Sequence, residues 1–403
     1  MVKQGYKQTE VGVIPEDWES VALLSKCSLL NGLTYTPDDI SDNGLLVIRS
    51  SNVQNNQLVF SDNVYVDLTV ADEKLIKKDD IIICVRNGSA ALIGKCAKAS
   101  RDYAITFGAF MAVLRGENNG YIYQLLQQGT IQKHISKNSG ATINQITNGD
   151  FKTIFVPFPT DSKEQERIAE ALSDVDSMIS SLEKLITKKK AIKQGAMQEL
   201  LTGKKRLPGF AGEWKTKMFR DVCFINAPMV DPTQKEYEYL PHIGNESIEK
   251  ENGRISHYNL VKDDHLISGK YYFSETDVLY GKINPQFAKA AYPKFCGLCS
   301  ADMYPISCSL DLNPTYLLYI LLSENFTKYT VSLSNRSGIP KVNREELAEY
   351  SLKLPSIKEQ TAIASVLSDM DNEIEALEQK LAKTRQIKQG MMQQLLTGKI
   401  RLV

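Results

Sequence analysis

Three short segments contain residue types that could bind a cofactor or a metal ion. Residues 88–96 have the glycines and lysine of a phosphate-binding loop, but five residues instead of four separate the glycines, and a cysteine replaces the Ser or Thr that would hold magnesium. Residues 284–287 resemble an amino-methyltransferase motif that lacks its second proline. Cys296 and Cys299 have zinc-like spacing, but only Cys308 is near as a further ligand. We therefore predict no catalytic residue, no cofactor site and no metal site in this chain.

A second group of residues has the side chains that can read DNA. Arg, Lys, Asn and Gln form paired hydrogen bonds with base edges, and here they follow predicted strands or lie in basic loops in both halves of the chain. Their recurrence at corresponding places in two divergent regions favours a binding role. The candidates are Arg49, Ser51, Asn52, Arg86, Asn87, Lys137, Asn138, His242, Asn245, Lys282, Asn284, Gln286, Arg336 and Lys341.

Length and composition limit the class of protein. A chain of 403 residues allows two or three domains, and 42% hydrophobic with 24% charged residues is typical of a soluble globular protein. The 48 basic and 48 acidic residues cancel, so DNA contacts must come from local patches or partner subunits. No apolar run is long enough to cross a membrane, and seven cysteines fit a reducing compartment, which predicts a cytoplasmic protein.

An internal repeat organises the chain. Residues 163–207 return as residues 358–402 with more than half of the aligned positions identical, and Trp18 and Trp214 are separated by nearly the same interval. The segments between these repeats diverge almost completely. We predict an α+β protein with two globular mixed α/β domains at residues 1–160 and 205–355, and two long helices at residues 161–204 and 356–403.

Each long helix has predicted ends and a narrow apolar stripe. Capping boxes are predicted from Ser162 to Gln165 and from Ser356 to Glu359, and the glycine of each Leu-Leu-Thr-Gly-Lys segment should end its helix. The stripe, with its alternating spacing of four and three, predicts a coiled-coil pair. It consists of Ile168, Leu172, Val175, Ile179, Leu182 and Ile186 in the first helix and Ile363, Leu367, Met370, Ile374, Leu377 and Leu381 in the second.

Connectivity favours an antiparallel pair, because a parallel pair would require the second domain to carry the chain back along a helix of about 58 Å. Two copies in that arrangement would be related by a pseudo-twofold axis. In the first domain we predict strands at 45–48, 59–66, 80–85 and 107–114, a helix at 120–128, a basic loop at 133–146 and a last strand at 154–156. In the second we predict strands at 237–241, 277–280 and 302–309, a helix at 314–323, a basic loop at 335–342 and a last strand at 350–352.

Three classes of function remain open: a DNA-recognition subunit, a stand-alone DNA methyltransferase or nuclease, and a coiled-coil adaptor that binds only proteins. The sequence resembles a specificity (S) subunit of a type I restriction-modification system over essentially its whole length. The resemblance rests on residues 5–18, which end at Trp18, on Lys-Glu-Gln after a proline in each half, and on the duplicated Leu-Leu-Thr-Gly-Lys. It favours the first class.

The resemblance implies two target-recognition domains that each bind one part of a bipartite, asymmetric double-stranded DNA site, with the helices setting the spacer. Two modification (M) subunits would carry S-adenosylmethionine, and restriction (R) subunits would use ATP and Mg. This chain would be non-catalytic. Gly195 and Gly390 occupy the same place in both helices, where glycine costs about 1 kcal/mol relative to alanine. They indicate close helix approach or a docking surface for the M subunits, or simply record the duplication.

Overall fold

The chain forms two compact units, each assembled from both long helices. The computed structural model describes residues 4–138, 144–334 and 339–403, without the side chains of residues 137 and 138. One unit contains Met1–Ser181 and Leu381–Val403, and the other contains Leu182–Lys380. Across the described ranges, no helix combines the length and the apolar character that a membrane crossing requires.

Two four-stranded sheets form the centre of the first unit. One is antiparallel throughout and has the order Cys96–Lys98, Ile81–Cys84, Met111–Arg115 and Ser28–Asn31. The other has the order Thr106–Phe107, Leu45–Ile48, Val64–Val66 and Ile40–Ser41, and its first two strands are parallel. The shorter strands pair as Tyr6–Thr9 with Gly12–Pro15, Trp18–Ala22 with Phe155–Pro159, and Val53–Gln54 with Gln57–Leu58. The helices are Asn119–Leu126, Gly129–Asn138 and Asn148–Lys152.

The second unit repeats this plan although its sequence differs. Its four-stranded sheet has the order Cys223–Phe224, Met303–Cys308, Val278–Gly281 and Ala290–Ala291. A five-stranded sheet has the order Met229–Val230, Lys270–Phe273, Gly297–Cys299, Pro241–Ile243 and Asn259–Leu260, with one parallel pair between its third and fourth strands. Lys215–Met218 pairs with Ser351–Leu354. The helices are Phe219–Val222, Pro314–Leu321, Glu324–Ser334 and Arg344–Ala348.

The long helices, Ser162–Leu200 and Ile357–Leu395, pack antiparallel within each unit, as predicted. In the first unit, Leu172 near the start of one helix and Leu395 at the end of the other belong to the same core. In the second, Leu200 and Leu367 share a core in the same way. None of the twelve predicted stripe residues is exposed. However, the stripe is not purely a coiled-coil seam, because near each helix start it packs into a globular core.

The first predicted capping box is wrong, and the second is only half formed. Asp161 precedes the first helix and accepts from the backbone N–H of Lys163, so Ser162 is already helical. Ser356 does accept from the Glu359 backbone N–H, but the reciprocal bond is absent because the Glu359 carboxylate pairs with Arg206. The predicted helix ends are confirmed by the left-handed backbone of their glycines, which have φ of 72° and 68°. Glycine adopts this conformation without the usual steric cost.

Several strand predictions also need correction. The predicted strand at 237–241 is a short 3-10 turn, Lys235–Tyr237, followed by a strand that begins only at Pro241. The predicted strand at 107–114 is interrupted at residues 108–110, and the one at 59–66 is regular only at Val64–Val66. The predicted basic loop at 133–146 begins as helix Gly129–Asn138. Its residues 139–143 lie outside the described residues, as do residues 335–338 of the corresponding loop.

Candidate DNA interface

In the first unit, two loops meet at one isolated antiparallel bridge between Arg86 and Gln145. The Asn87 N–H donates to the Asn144 carbonyl at 3.1 Å, and the Ile146 N–H donates to the Val85 carbonyl at 2.9 Å. Residues 85–87 and 144–146 are the bridged loops of this unit. The first continues strand Ile81–Cys84, and the second is anchored by the buried Ile146 side chain. The bridge therefore fixes two loop backbones that a lone strand end would leave free.

The second unit forms the same bridge with different residues. Ile283 lies opposite Lys341, the Asn284 N–H donates to the Pro340 carbonyl at 2.8 Å, and the Val342 N–H donates to the Lys282 carbonyl at 3.0 Å. Residues 282–284 and 340–342 are the bridged loops of this unit. A capped helix follows the bridge in both units, starting after Thr147 in the first and Asn343 in the second. The backbone arrangement thus recurs where the sequence does not.

A lysine connects the bridged loops of each unit to a third loop, which follows Ile48 in the first unit and Ile243 in the second. The Lys95 Nζ donates to the Ser50 carbonyl at 3.4 Å, and the Lys289 Nζ donates to the Asn245 carbonyl. Lys95 precedes strand Cys96–Lys98, which pairs with Ile81–Cys84, and Lys289 precedes strand Ala290–Ala291, which pairs with Val278–Gly281. Both third loops follow a strand that has a parallel neighbour. The two lysines are therefore equivalent clamps. Burial lowers the pKa of Lys289, which is consistent with an ammonium group held partly away from solvent.

The third loops contain polar atoms without a hydrogen-bond partner. The Ser51 Oγ and Arg49 Nε of the first unit and the Asn245 Oδ1 of the second are buried and unpaired. Most buried polar groups in proteins are satisfied, so such atoms commonly mark a place where a ligand or water completes the bonding. In the first unit this loop also contacts the bridged loops directly, because the Asn87 Nδ2 donates to the Ser50 Oγ at 3.0 Å.

Aromatic rings support the basic side chains around the bridges. The exposed Arg86 guanidinium lies 5.2 Å from the centroid of Phe110, a ring that is 52% exposed. In the second unit, the Lys282 ammonium and the Arg344 guanidinium lie 5.1 and 5.5 Å from the centroid of Tyr304. Such contacts restrain long cationic side chains without neutralising them.

The segments that build the bridges contain no acidic residue. They are residues 81–101 and 118–149 in the first unit and residues 278–301 and 325–344 in the second. Acidic residues are otherwise spread through the chain, 48 in all. Segments without carboxylates are suited to an anionic partner, because none of their own side chains repels the phosphates.

The structure separates the predicted DNA-binding residues into accessible and structural ones. Arg86, Asn87, Lys282, Asn284 and Lys341 lie in the bridged loops. Asn284 has left-handed backbone with φ of 51°, and the exposed Gln286 follows it. The side chains of Lys137, Asn138 and Arg336 lie outside the described residues.

The predictions for Asn52 and His242 need correction because these side chains are buried and used internally. The Asn52 amide donates to the Val59 carbonyl and accepts the Arg49 backbone N–H, which closes its own loop. His242 is held at 2.6 Å from Asp264 through its Nδ1. The Asn52 amide is thus used inside its own loop, whereas the buried Nε2 of His242 has no hydrogen-bond partner. Arg49 is also engaged, since it donates to the Asp62 carboxylate at 2.8 Å.

Sequence reasoning missed Gln145, Lys95 and Lys289. Gln145 lay inside a segment predicted only as a loop, so its partner across the bridge was not visible. The lysines could have been found, because each is followed by a short small-residue strand within an acid-free segment of its half.

The repeated ends of the long helices are joined by ion pairs with buried glutamates in each unit. Arg401 donates to both Glu164 carboxylate oxygens at 2.6 and 2.8 Å, and Arg206 donates to those of Glu359 at 2.6 and 2.7 Å. Both glutamates are buried. Arg401 also pairs with Asp17. These contacts explain why the Lys-Glu-Gln segment and the residues after Leu-Leu-Thr-Gly-Lys recur together.

A second ion pair, formed by a buried lysine and a partly buried aspartate, connects both long helices to the globular part of each unit. The Lys193 Nζ lies 2.5 Å from Asp371, whose other oxygen accepts the Tyr319 hydroxyl at 2.8 Å. In the first unit, Lys388 pairs with Asp176 at 2.6 Å, and Asp176 accepts the Gln124 amide. The angle between helix and globular domain is thus held by equivalent charged groups.

Gly195 and Gly390 are exposed, and a Cβ built on either one would meet nothing within 4 Å. Close approach of another helix therefore does not explain these glycines. A partner-docking role and simple inheritance from the duplication both remain predictions.

The model of the type I restriction modification DNA specificity domain matches this chain twice, at residues 15–194 and 211–386. The chain belongs to this family. The two matches correspond to the two halves of the internal repeat, each with one globular domain and most of one long helix.

Relatives from bacteria and archaea match over most of the chain. The specificity subunit of the type I restriction enzyme StySPI of Salmonella potsdam is 26% identical over 87% of this chain and 81% of its own. The putative MjaX specificity subunit of Methanocaldococcus jannaschii is 25% identical over 99% of this chain and 97% of its own. The EcoDI specificity subunit of Escherichia coli is 25% identical over 70% of each chain.

Solved structures agree with the fold. The crystal structure of the S subunit of a type I restriction-modification system from M. genitalium has a TM-score of 0.62 with 14% identity, and covers 94% of this chain and 96% of its own. A chain from a study of complex assembly and conformational transition of the type I system has a TM-score of 0.56 with 15% identity, covering 96% and 99%.

Proposed function

We propose that this chain is the DNA sequence-recognition subunit of a type I restriction-modification complex and that each unit binds one part of a bipartite, asymmetric site. One observation carries the proposal: both units hold the same bridged loops, clamp lysine and third loop, but present different side chains from them. The same backbone arrangement with different side chains is expected where two similar domains recognise two different DNA sequences. The chain contributes no chemistry of its own in this proposal.

The long helices serve as the frame in this proposal. Two modification subunits dock on the repeated helical segments, one for each copy, and supply S-adenosylmethionine and the methyl-transfer chemistry. Restriction subunits, with ATP and Mg, join that assembly. Neutral total charge supports the need for partners, because strong DNA binding requires several well-placed cations and this chain has as many acidic as basic residues.

Helix length sets the DNA spacer in this proposal. Insertion of seven residues after Ser181 and seven after Lys380 keeps the apolar stripe in phase and lengthens both helices by about 10 Å. That length corresponds to about three base pairs. The expected product recognises both original half-sites across a longer spacer.

Genome-wide mapping of methylated adenines tests the proposal. The chain and its modification subunit are produced together in a host that lacks this system, and the modified sites are compared between wild type and the insertion variant. A wild type that adds no bipartite motif contradicts the DNA-recognition role. Insertion of two residues in each helix is the control, because it turns the following part of the stripe by about 200°, away from the other helix, and should abolish methylation. An insertion variant with altered half-sites would contradict the spacer role.

A further inference from the structure

The two bridge residues of each unit form a non-hydrogen-bonded antiparallel pair. The hydrogen bonds lie between the residues that flank Arg86 and Gln145, and not between these two themselves. The same pattern holds for Ile283 and Lys341. In an antiparallel ladder such non-hydrogen-bonded pairs bring their Cα atoms to about 4.5 Å, and both side chains project from the same face. Each unit therefore presents two adjacent side chains from one fixed point.

Buried residues hold the backbone next to each bridge. Cys84 and Gly281, which precede the bridge residues, are buried strand residues, and Ile146 and Val342, which follow them, are buried in the cores. The clamp lysines hold the neighbouring third loops. A side chain that discriminates between bases needs a fixed backbone, because paired hydrogen bonds tolerate little displacement.

The side chains at the bridges have complementary chemistry for base edges. Arginine and lysine bind the O6 and N7 acceptors of guanine, glutamine binds adenine, and an apolar side chain contacts the methyl group of thymine. A two-stranded ribbon also fits the major groove. Arg86 and Lys341 are exposed, and Gln145 and Ile283 are half-exposed, so all four can reach a partner without unfolding their loops.

We infer that Arg86 with Gln145 in one unit, and Ile283 with Lys341 in the other, are the principal specificity-determining pairs of the two half-sites. Arg86 and Lys341 each read a guanine. Gln145 and Ile283 contact the adjacent base pair. This assignment rests on the proposed DNA-recognition function and names the residues that carry it.

Methylome mapping of Arg86→Ala and Lys341→Ala tests the assignment. Each variant should relax one G·C position in one half-site and leave the other half-site unchanged. One paired base contact gives about 5- to 150-fold discrimination, so methylation of sites with the wrong base at that position should rise by a factor in this range. Both residues are exposed, so both variants should fold like the wild type.

Matched controls are Arg101→Ala and Lys262→Ala. Both control residues are exposed cations, like Arg86 and Lys341, but they lie outside the bridged loops. Each packs on an aromatic ring, Tyr103 and Tyr239 respectively, as Arg86 packs on Phe110. The controls should keep the wild-type motif. The double substitution Arg86→Ile with Gln145→Lys gives the bridge of the first unit the two side chains that the second unit has. It should make the first half-site resemble the second at the affected positions.

The outcomes separate this inference from the proposed function. An unchanged motif in both alanine variants, alongside a bipartite wild-type motif, overturns the assignment and leaves the function standing. A uniform loss of methylation at all sites, without relaxation, also overturns it, because phosphate contacts weaken binding without changing sequence preference. A wild type without any motif overturns the function itself.

Discussion

Replacement of Arg401 by alanine should destabilise the first unit selectively. Arg401 is the residue that pairs with the buried Glu164 carboxylate, which keeps only the Trp18 Nε1 donor at 3.1 Å once the guanidinium is removed. A buried charge that loses its partner typically costs 3–5 kcal/mol. Because the Arg401 side chain is 25% exposed and water can enter its place, we expect the lower end, about 3 kcal/mol.

For a unit of about 200 residues, this loss corresponds to a fall of roughly 6–12 °C in its unfolding temperature. Hydrogen exchange followed by mass spectrometry resolves the two units, and amides of the first should lose protection while those of the second do not. The double variant Arg401→Ala with Glu164→Gln removes the unpaired charge and should recover much of the loss. Lys399→Ala, an exposed neighbour, is the matched control. Equal destabilisation by the single and double variants would refute the buried-charge reasoning.

Three further predictions concern the same frame. Lys193→Met should lower the free energy of unfolding of the second unit by about 2–3 kcal/mol, since Asp371 loses its lysine but keeps its Tyr319 partner. The control is Lys189→Met at the more exposed pair with Glu373, which should cost less than about 1 kcal/mol in denaturant unfolding. Similar losses in the two variants would contradict the role of burial. The hydrogen bonds from Arg401 lower the pKa of Asp17. This ion pair therefore stabilises the folded state fully above about pH 4, and its contribution is lost as the pH falls through the lowered pKa. Asp17→Asn should therefore make the free energy of unfolding less dependent on pH below about pH 4. Alanine at Gly195 and at Gly390 should stabilise the helices by up to about 1 kcal/mol each, since a methyl group meets open space there. Leucine at the same two positions tests the docking role in a pull-down of the modification subunit. Unchanged binding would exclude that role.

The repeated parts of the fold were predictable because local signals specify them. The apolar stripe, the terminal glycines and the chain connectivity predict two long antiparallel helices, and the structure confirms each. The capping boxes failed for a tertiary reason. Glu359 has the right spacing for a local cap, but a buried pair with Arg206 competes for its carboxylate. Sequence spacing alone does not reveal such a distant partner.

The candidate site was predictable only in part. Residue type and position after a strand brought Arg86, Asn87 and Asn284 into the prediction, but the same criterion selected Asn52 and His242, which are buried. The bridge that aligns Gln145 with Arg86 joins residues far apart in sequence. Such pairing depends on how the two loops return to one place, which no local propensity encodes.

The discontinuous first unit has a consequence for the order of folding during synthesis. Its core includes Leu395 and Leu396, so it is incomplete until these residues have left the ribosome, after all of Leu182–Lys380 has been made. Domains usually fold in the order in which they are translated. Here the unit whose translation begins first is completed second. Nascent chains must therefore keep an apolar surface covered while the other unit forms, which makes this stage the natural point for chaperone binding and for aggregation of overproduced protein.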